Sequence, residues 1–210
     1  MTVTSRYPRP SPGAFAEAAD ELDAVRLRPE VHVEEVPAPT RISPDAIALS
    51  IRVTTAASED PLATGRFVLL HDPDEPEAWD GPWRVVCFAH AGLEPEVGDD
   101  PLLAEVGWSW LRDALAGRGV DAHNLGGTVT RVLSQGFGQL SEDEQGVDLE
   151  IRASWSPPDH HVGVHLAAWC DLMSQISGLP PVPVGVPAVV PSLLGFISWG
   201  RLVGSAGVVG

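Results

Sequence analysis

The sequence predicts an α+β domain of two layers, with three helices over an antiparallel sheet of about five strands in the order α-βββ-α-ββ-α. Three observations lead there. Several segments alternate apolar and polar residues, so each has a dry face and a wet face. These segments come in neighbouring pairs joined by polar loops, which favours hairpins and antiparallel pairing. Three other segments repeat apolar residues every three to four positions, and such amphipathic helices must cover one sheet face.

The best-patterned strand is Val147 to Trp155. Val147, Leu149, Ile151, Ala153 and Trp155 alternate there with Asp148, Glu150, Arg152 and Ser154. The core is expected on its dry face.

In chain order, Ser11 and Pro12 supply a helix start. Phe15, Ala18, Leu22 and Val25 give the stripe of a helix over 12–27, and Pro29 ends it. Val31, Val33 and Val36 precede Pro37, Pro39 and Pro44. This stretch is read as a short edge strand or an extended crossing, because those prolines exclude a central strand. Ala46 to Thr55 is the first firm strand, with Ile47, Leu49, Ile51 and Val53 on one face. Arg66 to His71 and Trp83 to His90 follow, joined by a long acidic loop. Trp83, Val85, Cys87 and Ala89 share a face of the latter strand.

Asp100 and Pro101 open a second helix, whose stripe is Leu103, Val106, Trp110, Leu111 and Leu115. It stops near Arg118, between Gly117 and Gly119. Gly127 to Gln135 is rich in β-branched residues and reads as a strand; Gly126 and Gly127 before it are taken as turn residues. It pairs with Val147 to Trp155 as a hairpin. The last helix covers Val162 to Ser177, and its Trp169 is expected to meet Trp155. The pattern strand, acidic loop, strand, Trp-bearing helix thus occurs twice, over 65–115 and 127–173. Each helix is expected to bury its tryptophan against the hairpin it follows.

The domain is placed at 12–178. Residues 1–11 are polar, Pro-rich and expected to be disordered. Residues 179–210 form a Pro/Gly-rich apolar tail in which prolines interrupt any membrane-spanning helix. No apolar leader stands near the N-terminus, so no secretory signal is expected.

Composition narrows function. The chain has 210 residues and a formal net charge of −16. All 13 of its basic residues are arginine, which reads as a GC-rich coding bias. This balance disfavours direct nucleic-acid binding and docking on anionic lipid. It favours a basic or apolar-basic protein partner. Cys87 and Cys170 have no metal spacing and are expected as buried, reduced core residues.

No catalytic residue is assigned and no cofactor is expected. Ser134, Ser154 and Ser156 lie in no nucleophile elbow, and no phosphate-cradling loop occurs. For metal, the candidates are His161 and His165, four apart and able to share a helix face, with Asp159 nearby. They lack the intervening glutamate of a zinc protease, so a turn and helix start is preferred. The binding candidates are Arg131, Arg152, Phe137, Trp79 and Trp108. Arg131 and Arg152 are placed on the polar sheet face, with Arg52 nearby. There they pair with carboxylates or bind an acidic peptide. Phe137 stands in a Gly-Phe-Gly loop, and Trp79 and Trp108 are the tryptophans expected nearest a surface.

The element order is similar to the type III secretion chaperone-like fold, which implies a small acidic binding module, often a dimer. Further, Gly127-Thr128-Val129-Thr130-Arg131-Val132-Leu133-Ser134 and Leu149-Glu150-Ile151-Arg152-Ala153-Ser154-Trp155, with Pro12-Gly13-Ala14-Phe15, resemble the actinobacterial family called domain of unknown function 3000. The resemblance spans about 12–178. It implies an actinobacterial, cytoplasmic origin and no chemistry. The expectation is a non-catalytic, chaperone-like module that binds a protein or peptide, with a second copy as a further partner. The alternatives are an enzyme whose pocket collects His90, His123 or His160–His165, and an accessory factor in nucleic-acid metabolism acting through a protein partner.

Overall fold

The computed structural model describes residues 13–58, 60–93, 100–137 and 145–181. Among them are three helices and six strands. Helix α1 is Ala14–Ala24, followed by strands β1 (Val31–Val36), β2 (Asp45–Val53), β3 (Ala63–His71) and β4 (Trp83–Leu93). Helix α2 is Leu103–Gly117, β5 is His123–Gln135, β6 is Gln145–Ser156 and α3 is Gly163–Ile176. The two-layer α+β architecture is as predicted, with order α-ββββ-α-ββ-α. Residues 1–12 and 182–210, which hold the expected disordered N-terminus and nearly all of the tail, lie outside the described residues.

The sheet is antiparallel throughout, in the order β1-β2-β3-β4-β6-β5. The extra strand is β1, which pairs along its whole length with β2. Its prolines follow the strand rather than interrupt it, so its N–H groups remain available to β2. As an edge strand it alternates Val31, Val33 and Glu35 toward the helices.

All three helices lie on one sheet face. Ile51, Phe67, Val85, Ile151 and Trp155 point into that layer and are fully buried. Trp155 and Trp169 meet with ring centroids 6.2 Å apart, as expected. The expected repeat holds in that Trp169 packs on Trp155 of the hairpin before it, but the helices as a whole cover other strands. Helix α2 follows β3–β4 but packs on β5, and α3 follows β5–β6 but lies over β3 and β2. Because β4 pairs with β6, the two hairpins share one continuous sheet; α2 lies ahead over the β5 side, and α3 returns toward β3 and β2. The Arg118 guanidinium joins the two helices, meeting Asp171 through two hydrogen bonds of 2.6 and 2.9 Å.

Two glycines set how closely the layers approach. A Cβ at Gly65 would lie 2.5 Å from the Phe88 carbonyl oxygen and 2.9 Å from Met173 Sδ. Gly127 lies inside β5, beneath the Trp108 ring, where a side chain would collide with the Arg152 carbonyl. Gly126 and Gly127 are therefore strand residues and not the expected turn, and the strand begins at His123 across a register shift. Cys87 and Cys170 are buried and unbridged, and desolvation raises both thiol pKa values.

Candidate functional site

The face of the sheet opposite the helices carries the chemistry. Strand pairing builds it row by row. One row runs Ser50, Arg66, Phe88, Arg152, Thr128 across β2, β3, β4, β6 and β5. The next runs Ala48, Val68, Val86, Ser154, Gly126. On the other side of the first lies Arg52, Thr64, His90, Glu150, Thr130. Beyond Val68 and Val86 come Leu70 and Arg84.

This face is neither plainly wet nor plainly dry. Val86 is 41% exposed although it is apolar. Phe88 is half-buried, and the Arg152 guanidinium carbon sits 5.2 Å from its ring centroid, a cation–π contact. A shallow depression of about 680 Å³ lies here, bordered by Arg66, Val68, Val86, Phe88, Arg152 and Ser154. The result is an apolar lane, Val68 to Val86, between two arginine-bearing rows.

The arginines differ in how they are held. Arg84 donates to Ser154 Oγ at 2.6 Å, Ser156 Oγ at 3.1 Å and the Asn124 carbonyl at 3.3 Å. Burial lowers its pKa. Arg152 reaches Glu150 at 2.9 Å. Arg66 and Arg52 are exposed and make no hydrogen bond or ion pair to any described residue. His90 meets Asp148 at 3.2 Å on the same face. The β3–β4 loop folds over one end, where Ser156 Oγ donates to the Trp79 carbonyl and Asn124 Nδ2 approaches it at 3.5 Å.

The predicted site residues divide around this surface. Arg152 lies at its centre and Trp79 at its closed end, half-buried. Arg131 does not join them. It pairs in register with Leu149, so it points to the helix side, and its guanidinium donates to the Asp100 carbonyl at 3.1 Å. Its expected place on the polar face is corrected, since alternation fixes which residues share a face but pairing fixes which face that is. Trp108 also lies on the helix side, partly buried against the core. Phe137 is 75% exposed at the end of β5. Local alternation singles out Arg52 but not Arg66, Val86 or Phe88 as members of this surface. The signal was β4, which has apolar residues on both faces.

The histidines separate as well. Helix α3 starts at Gly163, so His161 precedes it and shares no helix face with His165. His161 Nδ1 lies 2.7 Å from Glu21, which raises the imidazole pKa. His165 is buried and accepts a 2.8 Å hydrogen bond from the Trp155 indole. Burial pushes its pKa down to about 4. His160 meets Glu17, and His123 meets Asp121. His160 and His161 stack with ring centroids 4.2 Å apart, and among the described residues no group of three or more His, Cys, Asp or Glu side chains gathers that could hold a metal ion.

Fold and surface together define a two-layer α+β protein whose second sheet face is open around Arg66, Val86 and Arg152, while Ala48 and Leu70 on the same face are buried. The chain belongs to the family described as protein of unknown function (DUF3000), whose model matches residues 11–187. No curated protein matches the chain, and no solved structure matches it. The likeness to the type III chaperone-like fold therefore rests on element order, from which this sheet departs by one strand. Among the described residues, no helix is long and apolar enough to cross a membrane.

Proposed function

We propose that the protein is a non-catalytic binding module that holds a protein or peptide segment on the uncovered face of its sheet. The observation that carries this is the composition of that face. It combines an exposed apolar lane with Arg52, Arg66, Arg84 and Arg152, on a chain whose net charge is −16. Folding leaves apolar surface such as Val86 in water without return, whereas a partner that covers it gains by its burial. The lane is open and shallow, and a small molecule usually needs deeper enclosure.

Selection from a random peptide library tests this reading. The native chain should enrich peptides that a Val86→Arg variant fails to retain. Position 86 is exposed, so the substitution blocks the lane and leaves the core intact. Enriched peptides that bind both proteins equally would place the site elsewhere, and no enrichment at all would remove the proposal.

A further inference from the structure

We infer that the lane reads a two-position pattern in its partner: an apolar residue, and an acidic residue two positions away in an extended segment. This deepens the binding-module reading and rests on it. Alternate residues of a strand lie about 7 Å apart on one face. The row of Val68 and Val86 is therefore separated by that distance from the row of Arg66, Phe88 and Arg152. A bound extended segment has the same period. When one of its side chains covers Val68 and Val86, the side chain two positions away stands over Arg66 and Arg152.

The chemistry at the second position is anionic. Among the described residues, Arg66 has no partner and Arg152 has only Glu150 as an ion-pair partner. Their backbones are two strands apart, about 10 Å, with Phe88 between them. A carboxylate at that point is within reach of both guanidinium groups, and Phe88 gives its methylenes an apolar floor. Hydrogen bonds between arginine and carboxylate are among the stronger ones. A phosphate polymer fits less well. It would meet Glu150, Asp148 and Glu34 on the same face and a strongly acidic protein around it.

Fluorescence anisotropy with two labelled octapeptides tests the pattern. Both carry one leucine among serines and threonines; one has glutamate two positions on, the other lysine. The native chain should bind the glutamate peptide about tenfold more tightly or better. The preference should shrink as salt is raised. Arg66→Glu should reverse it toward the lysine peptide, and Arg66→Gln should abolish it. Val86→Arg should weaken both peptides. Equal binding of both peptides to the native chain overturns the pattern while the binding module stands. Absence of enrichment in the library selection overturns both.

Discussion

The Trp155 indole N–H donates a 2.8 Å hydrogen bond to Nδ1 of His165, joining the last residues of β6 to the first turn of α3. An indole nitrogen only donates, so Nδ1 is unprotonated and the neutral ring carries its proton on Nε2. Burial holds the imidazole pKa at about 4, below the ordinary 6.5. The unfolded chain therefore binds the proton more readily than the folded one. The neutral ring's contribution is fully present above pH 6.5 and is lost as pH falls toward about 4. A shift of this size corresponds to about 3 kcal/mol. Urea unfolding midpoints of the native chain and His165→Gln, compared from pH 7 to pH 4, isolate the effect from other acids. The native chain should lose more stability on acidification. Equal slopes would show that His165 is not held neutral.

Trp169 stands beside Trp155 but lacks an equivalent partner: its buried Nε1–H makes no hydrogen bond among the described residues. Both rings are fully buried, so replacing either by Phe removes a similar volume. Only Trp155→Phe also leaves the His165 nitrogen without its donor. An orphaned buried polar group costs about 1–3 kcal/mol, and removing one already orphaned costs nothing on that account. Trp155→Phe should therefore lower stability by about that much more than Trp169→Phe in denaturant titration. Equal losses would mean that the hydrogen bond contributes little.

Gly65 and Gly117 should respond to alanine with opposite signs. At Gly65 the added Cβ meets a backbone oxygen that cannot rotate away, and Met173 as well. Overpacking of this kind costs about 1–3 kcal/mol. At Gly117, in the last turn of α2, a Cβ meets nothing within 4 Å. Alanine there gains the helix-propensity difference of up to about 1 kcal/mol. Thermal melts of Gly65→Ala and Gly117→Ala should move in opposite directions. A neutral Gly65→Ala would mean that the pairing of β3 with β4 yields around the Phe88 carbonyl as well as α3 giving way at Met173.

What the chain disclosed in advance followed from local periodicity. The dry faces of β2, β4 and β6 were legible because alternation needs only neighbouring residues, and so were the stripes of α1 and α2. The fourth strand before α2 was harder to read, since three valines followed by prolines fit a crossing as well as an edge. The binding surface depended on pairing. Arg66, Phe88 and Arg152 become neighbours only because β4 pairs with β6 across the intervening α2 and β5, and no local pattern encodes that order. His165 shows the same limit. Its spacing from His161 suggested a shared helix face, but helix α3 begins after His161.

Arg131 and Arg152 make the clearest test of the register. The sequence grouped them, since each lies on a strand of one hairpin. Pairing sends them to opposite faces: Arg152 stands opposite Phe88 and Thr128 on the open face, whereas Arg131 stands opposite Leu149 on the helix side, exposed beyond the helices' cover. Their roles should separate accordingly. Arg152→Ala removes a cation beside the lane and the cover over Phe88, and leaves Glu150 without its guanidinium. The remaining carboxylate would repel an acidic segment. Affinity for the glutamate-bearing octapeptide should fall by about tenfold, close to one charge-assisted hydrogen bond. Arg131→Ala should leave that affinity unchanged, because its side chain lies on the other side of the sheet. It should instead cost stability, as its hydrogen bond to the Asp100 carbonyl ties β5 to the entry of α2. Anisotropy titrations and melts of the two variants give both readouts. Equal effects on peptide affinity would mean that the peptide does not lie on the Arg152 face.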